Sequence, residues 1–215
     1  MKFDKLKSRD TFRWKYIQNA TLIGKYDMPM LQAVHEAEPH ELVPFHIAKG
    51  IKDPERKWFH FYEDDYQFER IWNDPSRYIS MLRNFEGGIG TDFSIYLDMP
   101  TSQQIWNCWR NCVMTYYLQE QGLKVIPNVG WSDEKSFEWA FDGIPENSIL
   151  SITTQGCMGK DYICKQSLLN GIHELVRRKH PEKLIVYGKF PEKWIERFPM
   201  PISVYKTYAE ERWGA

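Results

Sequence analysis

The sequence predicts an α/β protein with a mainly parallel β-sheet, and three observations support that prediction. Short β-rich runs alternate along the chain with helical stretches, an order typical of parallel strands joined by right-handed crossovers. The later strand candidates are short, apolar and each followed by a helical stretch, as expected for a sheet that helices cover. The length of 215 residues suits one domain. We therefore expect an N-terminal arm over residues 1–19 and a single α/β domain over residues 20–215.

Strand candidates occur at regular intervals along the chain. They cover residues 20–24, 42–48, 58–61, 88–95, 124–128, 148–153, 184–187 and 202–205. Eight parallel strands close a (β/α)8 barrel, so one interpretation is a compact or incomplete barrel of this type. The connection from Ala48 to Trp58 is too short for a helix, and an open doubly wound sheet is the alternative. In both folds a ligand binds at the carboxyl ends of the strands.

Helical stretches fill most of the intervals between these strands. They cover residues 30–37, 64–84 with an interruption near Pro75, 101–122, 132–141, 160–179 and 192–198. Thr101 or Ser102 is a suitable N-cap for the third of them, and Gly122 is a suitable end. Ser132 is the expected cap of the fourth.

Composition and charge exclude several classes of protein. The formal net charge is −1, from 28 basic and 29 acidic side chains, which provides no overall field to attract nucleic acid or an anionic membrane. No apolar run is long enough to span a bilayer, and the first residues do not resemble a secretory signal. Four Cys do not form a disulfide framework in a chain of this size. We expect a cytoplasmic protein with no membrane partner.

The N-terminal segment mixes basic and aromatic side chains. The basic ones are Lys2, Lys5, Lys7, Arg9, Arg13 and Lys15, and the aromatic ones are Phe3, Phe12, Trp14 and Tyr16. Such a mixture can stack on single-stranded nucleic acid, and it also occurs in arms that pack across a barrel floor or a partner subunit. It is the only feature of the sequence that points to a nucleic-acid partner.

Several stretches resemble a family catalogued as domain of unknown function 4417. The resemblance is carried by the segments GTDFSIYLDMP (residues 90–100), QIWN (104–107), VIPNV (125–129) with Trp131, FDGIP (141–145) and LIVYG (184–188). Members of this family are encoded largely by phages, prophages and mobile elements. The resemblance implies a phage-type origin, and a location in the host cytoplasm if the gene is phage-encoded, but no reaction. One departure is Gln155, where the family pattern leads us to expect a His before Gly156 and Cys157.

Polar residues that follow the predicted strands form the candidate site. We assign catalytic roles to Asp92, Asp64 and Asp98, and ligand-binding roles to Asn128, Trp131, Gln155 and Lys189. Asp92 is the first choice, because in a strand over residues 88–95 it shares a face with Ser94, opposite the apolar Phe93, and a buried carboxylate needs a polar partner. For Asp64 and Asp98 the alternative is structural, at a helix start and in a turn.

The function that these residues suggest is carboxylate chemistry. Carboxylates that share a pocket can divide into acid and base, and their oxygens can also hold Mg²⁺ or Mn²⁺, although we assign no metal ligands. Hydrolysis or group transfer on a phosphate- or sugar-containing small molecule suits them best. The alternative is a non-catalytic phage accessory protein that binds a host protein or nucleic acid. Cys157 is a conceivable nucleophile ahead of a helix, and Cys108 and Cys112, one turn apart, are expected in the core.

Overall fold

The structure is a computed structural model that describes residues 13–159 and 161–214. The strands are β1 (Leu22–Ile23), β2 (Met28–Pro29), β3 (Leu42–Pro44), β4 (Trp58–His60), β5 (Gly87–Ile89), β6 (Val125–Ile126), β7 (Ile149–Thr153), β8 (Lys183–Tyr187) and β9 (Ile202–Tyr205). The α-helices are α1 (Asp65–Asn73), α2 (Ser76–Leu82), α3 (Thr101–Glu120), α4 (Tyr162–Lys179), α5 (Glu192–Ile195) and α6 (Tyr208–Trp213). Short 3-10 helices cover Trp14–Ile17, Phe45–Gly50, Pro54–Arg56 and Glu134–Glu138.

The seven strands from β3 to β9 are parallel and neighbour one another in chain order. β3, β4, β5 and β6 form one sheet, and β7, β8 and β9 form another. A single parallel bridge between Asn128 and Ser151 joins the two sheets. The parallel α/β class is therefore confirmed, and the predicted helices supply most of the crossovers. Between β3 and β4 the short connection is made by two 3-10 helices, Phe45–Gly50 and Pro54–Arg56.

Alternate residues of these strands pack on two different clusters. One face of each strand meets the helices, through residues such as Phe59, Leu150 and Val186. The opposite face contributes to what we call the inner cluster, whose buried members are Leu42, Trp58, Tyr62, Ile89, Ile126, Ile149, Ile185 and Tyr187. Both faces of β3 to β8 are thus buried along most of their length, which explains why these strands are largely apolar, whereas no residue of the edge strand β9 is fully buried.

The first predicted strand and the helix predicted after it are corrected by the structure. Residues 22–23 pair antiparallel with β2 in a hairpin, whose turn places Gly24 and Asp27 at positive φ. Residues 30–39 are not helical. Their backbone instead forms hydrogen bonds with other elements. The Gln119 side chain accepts the Gln32 N–H and donates to the Gln32 oxygen. The Ile149 N–H donates to the Val34 oxygen. With no crossover helix here, β1 cannot join the parallel strands.

An eight-stranded (β/α)8 barrel is therefore not what the structure shows. Within residues 13–159 and 161–214 seven strands are parallel, and no ladder joins β9 to β3. The contact at that edge comes from a side chain, because the Tyr205 hydroxyl donates to the Pro39 oxygen at 2.6 Å. Tyr205 also packs against the inner cluster.

Most of the other predicted helices are present; the exceptions are residues 132–141, a shorter α5 than the predicted 192–198, and α6, which the sequence did not predict. The predicted interruption near Pro75 separates α1 from α2, and α3 begins at Thr101 as expected. Residues 132–141 are not an α-helix but contain the 3-10 helix Glu134–Glu138, capped by the Asp133 side chain rather than by Ser132. Cys108 and Cys112 are free and buried in the core, as predicted.

Two further expectations concern the N-terminal arm and membranes. Residues 1–12 of the arm lie outside the described residues, and the helix Trp14–Ile17 packs on α3, where the Tyr16 and Tyr117 ring centroids are 4.5 Å apart. In the part of the chain that the structure describes, no helix combines the length and the apolar character that crossing a membrane requires.

Candidate functional site

Four polar side chains meet where the central parallel strands end, and we call them the Asp92 cluster. Its members are Asp92, which follows β5, Asn128, which follows β6, Tyr62, which follows β4, and Ser151 in β7. The parallel register explains the meeting, because the carboxyl ends of neighbouring strands lie at one edge. This is the edge at which the sequence predicted the site.

Hydrogen bonds fix the orientation of every group in the Asp92 cluster. The Asn128 amide donates from Nδ2 to Asp92 Oδ1 at 2.8 Å and to the Thr91 oxygen at 3.0 Å. Asn128 Oδ1 accepts the Tyr62 hydroxyl proton at 2.9 Å. Because a phenol has a single proton, the Ser151 hydroxyl is the donor in its 2.7 Å contact with Tyr62. The Asn128 side-chain amide therefore cannot flip without losing the hydrogen bonds of both its Nδ2 and its Oδ1 atoms.

Burial changes the protonation of the Asp92 carboxyl group. Removal from water is the main cause that raises the pKa of Asp92 to about 7; the hydrogen bond from Asn128 opposes the rise, and the nearby Asp65 carboxylate adds to it. Burial also raises the pKa of Tyr62 well above its ordinary value, so that this phenol stays protonated. Among the described residues, Asp92 Oδ2 has no hydrogen-bond partner. One oxygen of a carboxyl group that titrates near neutral pH is thus left for a ligand.

Helix α3 holds the loop that carries Asp92. The Asn111 side chain accepts the Phe93 N–H at 2.7 Å and donates to the Phe93 oxygen at 3.1 Å. Asn107 donates to the Ser94 oxygen at 2.6 Å. Gly90 lets the loop pass this close, since a Cβ at that position would lie 2.3 Å from Thr115 Oγ1. The predicted strand over residues 88–95 therefore ends at Ile89, because side chains of α3 replace a neighbouring strand.

A buried arginine and an aspartate complete the support of this loop. The Arg110 guanidinium lies 3.7 Å from the Phe93 ring centroid and pairs with Glu69 at 3.0 Å. From the other side, Asp65 Oδ1 accepts both the Ser94 N–H at 3.1 Å and the Ser94 hydroxyl at 2.8 Å. The loop is thus held between α3 and the start of α1, which makes the position of Asp92 rigid.

Asp64 and Asp98 do not join the Asp92 cluster. Asp64 is exposed just before α1, and its backbone oxygen accepts the Gln67 N–H. Asp98 is exposed in the turn that precedes α3. Among the described residues, no hydrogen bond joins either carboxylate to Asp92. Their positions match the structural alternative, a helix start and a turn.

Three of the four predicted ligand-binding residues also lie apart from the Asp92 cluster. Trp131 donates from Nε1 to the Ser167 oxygen at 3.1 Å and packs on Gly171 of α4, where a Cβ would lie 2.0 Å from the indole. Gln155 is exposed in a turn after β7. Lys189 is exposed and lies 3.7 Å from Glu210 of α6. Of the four, Asn128 alone contacts Asp92.

The residues that sequence reasoning missed lie mostly on one face of α3. The buried polar side chains on that face are Gln104, Asn107, Asn111, Thr115 and Gln119, and Arg110 lies next to them. Their spacing of three or four residues was a usable signal, because a polar stripe at helical period must face polar backbone if it is buried. Of the neighbouring Asp64 and Asp65, we chose Asp64 as the site residue.

The chain matches a family model over residues 20–206, and the family is described as Domain of unknown function (DUF4417). The chain belongs to this family. It is 30% identical over 220 residues to the Gene 1 protein of Mycobacterium phage D29, and the aligned region covers 98% of the chain and 75% of that protein. It is 29% identical over 219 residues to the Gene 1 protein of Mycobacterium phage L5, with 98% and 88% covered. No solved structure matches the chain.

Membership of the DUF4417 family confirms the resemblance found in the sequence and its phage-type origin. The family description names no reaction, so chemistry must be argued from the site. Within residues 13–159 and 161–214, no group of three or more His, Cys, Asp or Glu side chains is placed to hold a metal ion. Burial raises the pKa of the Cys157 thiol, so it stays protonated at neutral pH and is a poor nucleophile.

Proposed function

We propose that this protein is an enzyme, a hydrolase or transferase that acts on a phosphate- or sugar-containing small molecule with Asp92 as general acid or base. The observation that carries the proposal is the Asp92 carboxyl group, whose pKa of about 7 suits proton transfer at neutral pH. Asn128 orients it, and the pair lies at the carboxyl ends of parallel strands, where ligands of α/β proteins bind. Perturbed carboxyl groups of this kind are concentrated at functional sites.

We also infer that the seven parallel strands form an incomplete barrel within one domain over residues 20–215. Support comes from the inner cluster, to which all strands from β3 to β8 contribute buried side chains, together with Tyr205 of β9. In such a barrel the Asp92 cluster lies at the mouth. A small molecule would enter from the carboxyl ends of the strands, and Mg²⁺ or Mn²⁺ would arrive with it if the reaction needs a metal.

The test is a turnover screen with a matched pair of variants. Nucleoside mono- and diphosphates, 4-nitrophenyl phosphate and 4-nitrophenyl glycosides are incubated with the purified chain, with and without Mg²⁺ or Mn²⁺, and products are measured by absorbance and ³¹P NMR. We expect Asp92→Asn to lower kcat by at least about 100-fold without unfolding the protein. Asp98→Asn, in the exposed turn a few residues further along, should keep the wild-type rate. Wild-type turnover by Asp92→Asn would overturn the proposal.

A second candidate function, binding without catalysis, is favoured by one observation. Tyr96, Leu97 and Trp106 are large apolar residues that are exposed on the loop after Asp92 and on α3. Trp106 also stacks on Trp109, with ring centroids 5.3 Å apart. Exposed aromatic surface of this kind is typical of contact sites for other proteins.

Catalysis and binding are separable by mutation. If the protein is an accessory factor that binds a host protein, Trp106→Ala should abolish co-purification of that protein and Asp92→Asn should not. If the protein is the proposed enzyme, Asp92→Asn should abolish turnover and Trp106→Ala should leave turnover unchanged.

A further inference from the structure

A second titratable pair lies at the carboxyl ends of the strands, and the Asp92 cluster does not include it. His46, in the 3-10 helix that follows β3, contacts Glu63 through its Nδ1 atom. The His46 backbone N–H donates to Glu63 Oε1 at 3.1 Å. Since Glu63 lies three residues beyond β4, the pair belongs to the same edge of the sheet as Asp92.

The two partners differ in burial, which determines what each can do. The Glu63 side chain is only 5% exposed, whereas His46 is 33% exposed. Burial raises the pKa of Glu63, and the contact with His46 opposes that rise. In a neutral imidazole whose Nδ1–H donates to a carboxylate, Nε2 is the proton acceptor, and among the described residues His46 Nε2 has no hydrogen-bond partner. The geometry is that of a buried carboxylate orienting a solvent-facing base.

The pair is connected to the Asp92 cluster through aromatic side chains. Tyr62, the residue before Glu63, bonds to Asn128 and stacks on Tyr187 at 5.0 Å. The edge of Tyr208 lies against the His46 ring, with centroids 6.0 Å apart. The Tyr208 N–H in turn donates to the Tyr187 hydroxyl at 2.7 Å, so a continuous chain of contacts joins the two titratable groups.

The other charged and titratable groups packed around the pair are few. Arg70 of α1 acts on Glu63 and lowers its pKa. His60 of β4 lies close to His46, and burial lowers the pKa of His60 to about 3, so it is neutral. Burial raises the pKa of Tyr187 to about 12, so it is neutral as well. Among these neighbours, His46 alone couples an exposed ring nitrogen to a buried carboxylate.

We propose that His46 is the second proton-transfer residue of this site, with Glu63 as its positioning residue. The inference rests on the proposed function and deepens it. In hydrolysis, water gives one proton to His46 Nε2 while its oxygen bonds to the phosphorus or the anomeric carbon. The bond from that atom to the leaving oxygen breaks, and the leaving oxygen takes the proton of the Asp92 carboxyl group. One proton is accepted and one is donated, so the step balances.

The first test needs no substrate, because it reads the tautomer of the imidazole. Long-range ¹H–¹⁵N NMR distinguishes the Nδ1–H form from the Nε2–H form. The chain provides a matched control in His35, whose Nδ1 lies 2.9 Å from Glu182 with both side chains well exposed. We expect the Nδ1–H tautomer for neutral His46, and its loss in Glu63→Gln, whereas Glu182→Gln should leave the His46 signals unchanged. An Nε2–H tautomer for His46 in the wild-type protein would overturn the inference.

The second test uses the compound that the wild-type chain turns over in the screen. His46→Ala should lower kcat by at least about 100-fold with little change in KM, and added imidazole should restore part of the rate. A purely structural role would not respond to imidazole. If Asp92→Asn is inactive and His46→Ala keeps the wild-type rate, the inference fails and the proposed function stands. If the reverse holds, the role of Asp92 is the one that fails.

Discussion

The two ends of the parallel strands carry the same kinds of charged residue but bury them differently. At the amino ends, Lys183 pairs with Glu38, whose side chain is 67% exposed, and both partners of the His35–Glu182 pair face water. At the carboxyl ends, the Glu63 side chain is only 5% exposed and Asp92 is half-buried, and burial raises the pKa of each. The same contact between an imidazole and a carboxylate therefore has different consequences at the two ends.

Burying carboxylates costs free energy at the carboxyl ends of the strands, and no comparable cost arises at the amino ends. Exposed ion pairs are screened by solvent and contribute little to stability, so the pairs at the amino ends change the free energy of unfolding very little. A buried carboxylate costs free energy unless it is protonated or well bonded, and such groups persist where chemistry requires them. Two surface depressions of about 690 and 570 Å³ lie away from the Asp92 cluster, and the second is at the amino ends, lined by residues such as Glu36 and Lys124. The proposed site at the carboxyl ends therefore rests on the hydrogen-bonded Asp92 cluster and its burial, and not on the size of a depression.

The largest expected effect on stability is at Asn111. Replacing Asn111 with Ala leaves the N–H and the oxygen of Phe93 without partners, which should cost about 3 kcal/mol and lower Tm by roughly 10 °C. Asn170→Ala, on the more open surface of α4, should lower Tm far less. Thermal unfolding by circular dichroism measures both, and equal losses would show that α3 does not clamp the loop.

The next effect has the opposite sign and depends on pH. The pKa of Asp92 is about 7 in the folded protein, against 3.8 when unperturbed, so the folded state binds the proton more tightly. Stability should therefore fall as pH rises from about 4 to about 7 and stay low above that range. A change in pKa from 3.8 to about 7 corresponds to about 4 kcal/mol, which solvent screening of the half-buried Asp92 reduces to on the order of 2 kcal/mol. Asp92→Asn should lack this loss and be more stable than wild type at pH 8. Urea unfolding at pH 4.5 and pH 8 tests the difference, and parallel curves for the two proteins would contradict it.

A smaller effect is expected from the ion pair that supports the loop. Glu69→Ala removes the partner of the Arg110 guanidinium, of which only 10% is exposed. Because Glu69 itself is 40% exposed, solvent screening limits the expected loss to about 1 kcal/mol. Chemical denaturation should reveal it as a lower midpoint with an unchanged slope. No change in the midpoint would mean that Arg110 is held by Asn107 and the aromatic rings alone.

The smallest effect is expected at the amino ends. Glu38→Ala removes an exposed partner of Lys183 and should change the free energy of unfolding by less than about 0.5 kcal/mol. Turnover should be unaffected. A loss as large as that of Glu69→Ala would remove the contrast between the two ends of the strands.

Much of the fold was predictable because it depends on local patterns. The later strands, the break between α1 and α2, and helix α3 all follow from apolar runs, Gly, Pro and capping residues close in sequence. The predicted helix over residues 30–37 was wrong because distant groups, the Gln119 and Ser148 side chains, bind its backbone in an extended form. The placement of Asp92 at the carboxyl end of a parallel strand was also predictable, and so was its contact with a polar residue from the next strand.

The three acidic residues Glu63, Asp64 and Asp65 show where the sequence alone stops. Their presence after a buried strand, and so at the edge where a ligand would bind, is evident from the sequence. Which of them is buried was decided by the tertiary structure, since Glu63 meets His46, Asp65 meets Ser94 and Asp64 faces water. Glu63 and Asp64 precede helix α1, which begins at Asp65, so no helical period sets the directions of these three side chains. Their environments therefore differ according to which distant segment packs against each one, and no local pattern encodes that.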